Sequence, residues 1–268
     1  MKFKLYVFLI IVLLLVSCTL SAQQANNYKG AEVFSHEAVL FGKFEVRMKM
    51  VNEKGIVSSF FLYDNKSWQG LPYEWREIDI EALGKENNLL QTNIITGHAG
   101  SRITSELKHK IANVHTEYHT YTIEWTPDYV AWYVDGVLLR KDTAADSQQV
   151  VDLRDTPQTY RMNLWISGSE EWVGRFNKNS LPQYQCINWI KYYTYTPGKG
   201  PGGSDFTLAW TDDFDSFNSS RWGAGNWGFE GNLVTFDPAN AVVKNGYLIL
   251  CLTEANETGC KGQVPEDN

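Results

Sequence analysis

A chain of 268 residues with 43% apolar content can bury a large core, and all-β sandwiches of this length often form one domain. The formal net charge of −7 excludes the basic surface that phosphate recognition needs, so nucleic acid is ruled out as a partner. Ten Trp and fourteen Tyr make a large aromatic complement; big β cores use both types, and their flat faces also suit a neutral sugar ring.

Lys2 and Lys4 precede an apolar run over residues 5–16. That run is shorter than the roughly 20 residues a membrane-spanning helix needs, and a positive start before it reads as a signal peptide over 1–22. Leu15-Val16-Ser17-Cys18 reads as a bacterial lipobox, with Cys18 as a lipid anchor. Cleavage after Ala22 would instead release a soluble protein. Leu20 fits the small-residue rule for that cleavage poorly, which favours the anchor. Either route gives a secreted protein or a surface or periplasmic lipoprotein of a bacterium. Residues 23–29 read as a flexible lead.

From Gly30 onward the pattern is of short strands divided by turns. Residues 44–50 alternate apolar and polar, 57–63 are largely apolar, and 77–81 alternate without a break. Residues 121–125 and 130–134 form two strands, and Asp135-Gly136 marks a tight hairpin after them. Segments 161–166 and 187–195 extend the set. No segment keeps a helical period, so the chain reads as an all-β sandwich or barrel. Residues 196–204 have the composition of a linker, and 205–253 contain about three further strands, the last at 246–253. Fifty residues would bury little surface alone, so they are expected to complete a single domain over 30–253. Residues 254–268 read as a loose polar tail. Beyond the signal region the cysteines are Cys186, Cys251 and Cys260. An oxidising compartment would permit a Cys251–Cys260 bridge, and an odd count leaves at least one thiol free. No pair has zinc-ligand spacing. His115 and His119, on a loop and a strand, read as structural.

The chemical signal is Glu77-Ile78-Asp79-Ile80-Glu81. On a strand, residues at i, i+2 and i+4 share a face, so three carboxylates point one way and two isoleucines enter the core. By the same parity Tyr73 and Trp75 fall on the face of Glu77. Packing gains nothing from three like charges in a row, and acids are poor strand formers. Glycoside hydrolysis needs such an array: one carboxyl attacks and another, held protonated, donates to the leaving oxygen. A retaining mechanism needs the two about 5–5.5 Å apart. The Cα atoms of Glu77 and Glu81 are roughly 13 Å apart on a strand, so their side chains must lean together on the concave face of a curved sheet. Asp79 is short enough to hydrogen-bond the nucleophile without blocking it, and its charge should raise the proton affinity of its neighbours. Strand geometry alone leaves open which glutamate takes which role.

Trp75-Arg76-Glu77-Ile78-Asp79-Ile80-Glu81, followed by the hairpin segment from His119 to Gly136, resembles glycoside hydrolase family sixteen. The unbulged spacing is similar to the family's lichenases, the endo-1,3-1,4-β-glucanases, whereas strict 1,3-glucanases usually carry one residue more. Trp210-Thr-Asp-Asp-Phe-Asp215 resembles a segment that opens the domain in most relatives, yet here it follows the 196–204 linker. That order resembles the circularly permuted lichenases of plant-fibre-degrading gut bacteria. The resemblance implies a jelly-roll β-sandwich of two curved antiparallel sheets, circularly permuted, with a β-glucan polysaccharide as substrate and a monomeric state. It implies Glu77 as nucleophile, Glu81 as acid/base and Asp79 assisting. It further implies a glucan cleft lined by Glu32, Phe61, Tyr63, Asn65, Trp75, Gln91, Asn93, Arg161, Asn163, Trp165, Trp172 and Trp227, with Phe61 and Trp172 serving mainly in packing. It implies no catalytic cofactor. A structural calcium away from the cleft would be held by Asn188, Asp213 and the backbone of Gly246. Two other readings compete: a laminarinase or transglycosylase on the same scaffold, and a catalytically silent glucan-binding lipoprotein. The unbulged ladder weighs against a laminarinase, and the intact acid set against a silent binder.

Overall fold

The computed structural model describes residues 27–267. The signal segment, the Cys18 lipobox and residues 23–26 of the lead lie outside the described residues. The first strands are β1 (Tyr28–Val39), β2 (Gly42–Lys49), β3 (Ile56–Tyr63), β4 (Glu77–Leu83), β5 (Leu89–His98), β6 (Ser101–Thr104) and β7 (Leu107–Lys110). Then come β8 (His119–Trp125), β9 (Tyr129–Val134), β10 (Val137–Thr143), β11 (Gln158–Ile166) and β12 (Gln183–Tyr195). The C-terminal part adds β13 (Phe206–Asp212), β14 (Trp222–Ala224), β15 (Thr235–Phe236), β16 (Ala241–Lys244) and β17 (Tyr247–Glu254). Two helical turns, α1 (Gln148–Asp152) and α2 (Glu170–Val173), are the α-helical segments among the described residues.

The pairings resolve into two layers. One runs β14–β1–β11–β3–β4–β5, with β6 and β7 on the outer edge of β5. The other runs β10–β9–β8–β2–β12, and β12 then pairs along its length with β17 and with β13. The start of β1 pairs with the end of β17, so the layers share one continuous hydrogen-bonded system. Period-two alternation sets the inner faces. Phe44, Val46 and Met48 of β2, and Ile78 and Ile80 of β4, are all fully buried. Cross-layer contacts fix the stacking: Phe44 meets Phe60 at 5.7 Å between ring centroids, and Ser58 donates to the Gln185 side chain at 2.7 Å. Trp132 reaches across the core to donate to the Asp79 carbonyl at 2.9 Å, pinning the middle of β4 from behind. The Asp135-Gly136 turn joins β9 to β10 with φ of 50° and 76°, the left-handed pair such a hairpin needs.

Several expectations change. Tyr28 and Lys29, read as part of a flexible lead, pair with Glu254 and Thr253. The segment 205–253 carries five strands rather than three, because β14 and β15, of three and two residues, are too short to show a period. The stretch after β17 is not loose. Arg47 grips Asp267 with two hydrogen bonds of 2.8 and 2.6 Å, Tyr118 donates to the Pro265 carbonyl, and Lys244 to that of Gly262. Its few apolar residues, Cys260 and Val264, pack on a small cluster of Tyr118, Cys186, Ile249 and Cys251. The three cysteines among the described residues, Cys186, Cys251 and Cys260, are free thiols. Tyr73 lies before β4 in a turn that Gly70 closes, so strand parity does not extend to it.

Candidate active site

The registers of the β14-containing layer place side chains in rows, because directly opposed residues of antiparallel strands point to the same face. Glu32, Asn163, Ser59, Glu81 and Gln91 form one row across β1, β11, β3, β4 and β5. Phe34, Arg161, Phe61, Asp79 and Asn93 form the next. Thr159, Tyr63 and Glu77 form a third. Ile78 and Ile80 occupy the opposite face, in the core, so the three acids line the outward side of this sheet.

The three carboxyls sit in different surroundings. Glu77 accepts a 2.6 Å hydrogen bond from the Trp75 indole and another from Asp79. Burial still pushes it up to about 7, with those donors and the Arg102 and Arg161 guanidinium groups pulling the other way. Glu81 accepts from Gln91 at 3.1 Å and is pushed up to about 8, first by burial and then by the charge of Glu77. Asp79 is only 3% exposed, and burial followed by the charges of Glu77 and Glu81 raises it well above the usual carboxylate range. That raised proton affinity makes it the donor in its bond to Glu77. That corrects the expectation that a charged Asp79 raises its neighbours' proton affinity, since its hydrogen bond lowers that of Glu77. With more donors around it, Glu77 ionises before Glu81.

The rest of the site is a supported polar floor with aromatic walls. Arg161 pairs with Glu32 at 2.5 Å and donates to the Asn65 side-chain oxygen at 2.7 Å. Asn163 donates to the other Glu32 oxygen at 3.3 Å, and Ser59 to Asn163 at 2.6 Å. The Trp172 indole donates to Gln91, and the Asn93 side chain accepts from the Ser105 amide. Tyr63 and Trp75 meet edge-on at 5.7 Å at the Glu77 end. Trp165 touches Trp172 and Phe229 at the Glu81 end. Trp227 packs on Phe34 and remains 36% exposed. Phe61 is buried, and Trp172 packs against the core as well as on Gln91. All twelve residues named for the cleft thus fall in the outward-facing rows or in contact with them.

Sequence reasoning missed Phe34, Ser59, Thr159 and Arg102. Thr159 donates to Asn65 and accepts from Arg161, while Phe34 and Tyr63 lie on either side of the Arg161 guanidinium. Parity with Glu32, Tyr63 and Arg161 would have found the first three. Arg102, stacked on Trp75 at 4.9 Å, arrives from the β5–β6 hairpin, whose return no sequence period reveals.

Asn188, Asp213 and Gly246 lie on the other layer, away from this face. On one side β12 pairs with β17 up to Ile187 and with β13 from Ile190 onward. Asn188 sits in the gap, beside the end of β13 and the turn that starts β17. Its amide nitrogen donates to Asp267, which leaves its oxygen free to ligate, and the Asp213 carboxylate takes no hydrogen bond among the described residues. This donor set suits a hard cation that accepts carboxylate, amide and backbone oxygens. No group of three or more His, Cys, Asp or Glu able to hold a metal occurs among the described residues.

Residues 15–191 match the family model described as glycosyl hydrolases family 16. The chain is 49% identical over 245 residues to a beta-glucanase of Fibrobacter succinogenes, covering 91% of this chain and 69% of that one. It is 38% identical over 175 residues to a beta-glucanase of Bacillus subtilis, covering 65% and 66% of the two chains. It therefore spans about two thirds of the length of these curated relatives. Among solved structures, the Bacillus licheniformis beta-glucanase aligns with a TM-score of 0.49 at 35% identity, over 60% of this chain and 70% of that one.

Proposed function

The chain belongs to glycosyl hydrolase family 16, and on that premise we propose that it is an endo-acting β-glucanase cleaving mixed-linkage β-1,3-1,4-glucans by a retaining double displacement. The observation that carries the reading is the contrast between two carboxyls on one face of β4. Glu77, surrounded by hydrogen-bond donors, is the nucleophile. Glu81, held protonated by burial and by its neighbour's charge, is the acid/base. Glu77 forms a bond to the anomeric carbon while Glu81 gives its proton to the departing glycosidic oxygen. Glu81 then takes a proton from water, the water oxygen bonds to the anomeric carbon, and the Glu77 ester bond breaks. Asp79 holds Glu77 in line through its hydrogen bond. The cleft named above would supply rings for stacking and amide, guanidinium and carboxylate groups for sugar hydroxyls.

The identity to beta-glucanases and the five-residue ladder without a bulge support a mixed-linkage substrate. Reducing-sugar release on lichenan, barley β-glucan, laminarin and carboxymethylcellulose tests it, with Glu77→Gln as control. Cleavage of the two mixed-linkage glucans alone is expected, and Glu77→Gln should lose about a thousandfold or more in kcat while still binding glucan. Rapid cleavage of laminarin would move the reading to a broader 1,3-glucanase. Binding without turnover in the unaltered protein would leave a silent glucan-binding protein.

Three further features belong to this reading. A circularly permuted order is part of the proposal, and it is supported by Ala255 donating to the Asn27 carbonyl at 2.9 Å, which sets β17 and β1 face to face like an opened hairpin. Asn188, Asp213 and the Gly246 carbonyl would hold a structural calcium that takes no part in the chemistry. The protein is monomeric and is exported, by lipidation at Cys18 or cleavage after Ala22. Mass spectrometry of the mature N-terminus distinguishes the two routes.

A further inference from the structure

The loop from Asp64 to Arg76, between β3 and β4, carries three large apolar side chains turned to solvent. Trp68 is 68% exposed, Leu71 72% and Tyr73 38%. Single exposed apolar residues are ordinary, but three on one short loop beside a cleft are not. The loop is not slack. Ser67 is fully buried, accepts from the Arg76 amide at 3.0 Å, and its own amide donates to the Asp64 carbonyl. The Asp64 amide donates to the Arg76 carbonyl at 3.0 Å, closing the loop base. The Trp68 backbone lies beside the Tyr63 hydroxyl, and Asn65, three residues earlier, is locked to Arg161 and Thr159. The Trp68 backbone thereby sits on a stitched turn next to Tyr63, at the Glu77 end of the site, with its indole exposed to water.

We propose that Trp68 is an outer sugar-binding platform that extends the cleft past Tyr63 and Trp75 and holds a further glucosyl unit of the β-glucan chain. The inference rests on the glucanase reading and adds a contact made only by chains long enough to leave the cleft at that end. The occupant follows from adjacency: Tyr63 and Trp75 line the Glu77 end of the site, and the turn that carries Trp68 lies beside Tyr63. A pyranose presents an apolar C–H face to an indole, and a rigid backbone beneath the ring keeps the ordering cost low.

Trp68→Ala and Trp68→Tyr are to be compared with the unaltered protein on barley β-glucan, on mixed-linkage oligosaccharides of increasing length, and on an aryl glycoside of a mixed-linkage disaccharide. Trp68→Ala should raise KM for the polymer and the longest oligosaccharides about three- to tenfold with kcat unchanged. The aryl disaccharide should show no change, and Trp68→Tyr should restore most of the loss. The same length dependence should appear when oligosaccharides are titrated calorimetrically into Glu77→Gln with and without Trp68→Ala. An equal effect on every length, or none on any, overturns the platform. So does a dimer in sedimentation that Trp68→Ala abolishes without altering KM, which would give the patch to a second copy of the chain. Glucan binding without turnover would overturn the enzymatic reading while leaving the platform to stand on calorimetry. Neither binding nor turnover overturns both.

Discussion

Glu77 and Glu81 are chemically identical side chains separated by three residues, and their environments drive them apart. Two donors face Glu77, whereas Glu81 has one amide donor and a neighbouring charge. With Glu77 raised to about 7 and Glu81 to about 8, kcat/KM should follow a narrow bell centred in the neutral range. Its limbs report the pair's macroscopic values rather than one residue each. A pH–rate profile with an optimum near the ordinary carboxylate range would contradict this. Stability should move with the same groups. Each raised carboxyl binds its proton more tightly folded than unfolded, so its contribution is fully present below its ordinary 4.5 and is lost as pH rises through the folded value. Glu81→Gln should therefore raise Tm by about 2–4 °C at pH 9 and leave it unchanged at pH 4, read by thermal melts. That three acids share a face was legible in the sequence, because a period of two needs no tertiary information. Which acid ionises first was not legible, because the indole of Trp75 and the buried Asp79 carboxyl beside Glu77 are placed by folding.

At the level of elements, the strands read most clearly from the sequence were those with one face in the core. β2 and β4 alternate because half of each is buried, and the Asp135-Gly136 turn announces the β9–β10 hairpin. Of the strands that went unread, β6 has every residue exposed and β15 spans two residues, whereas β5 is long but so largely buried that it shows no period-two alternation. β11 is buried on both faces, and its outward one carries Arg161, whose charge is answered by Glu32 from β1. Breaking that pair strands a buried carboxylate. Arg161→Met should destabilise the fold by about 3–5 kcal/mol in denaturant unfolding, and adding Glu32→Gln should recover part of the loss. No recovery in the double variant would show that Arg161 acts through packing on Phe34 and Tyr63 alone.

Across the whole molecule, β1, β12 and β17 hold the two layers and the chain ends together. β17 pairs with β12, β16 and the start of β1, while the last described residues lie back across β2 and β12 through Asp267. Arg47 holds the Asp267 carboxyl below its usual range, so this clasp stays charged and engaged through neutral pH. The calcium reading places its ligands at the same junction, where β12 passes from β17 to β13. Chelation should therefore lower Tm, added calcium should restore it, and Asp213→Asn should abolish the response, with the neutral pH–rate bell unchanged in form. A Tm indifferent to chelator would remove the site.

The sequence by itself determined the all-β class and the shared face of Glu77, Asp79 and Glu81. Those features depend on period and residue type, which are local. Tertiary structure alone decided the burial that raises the proton affinity of Asp79, the clasp of Asp267 on Arg47, and the position of Trp68 beside Tyr63. Each depends on a partner far away in the chain or on a loop whose path no period encodes, and contacts of that kind exist only after the sheets have packed.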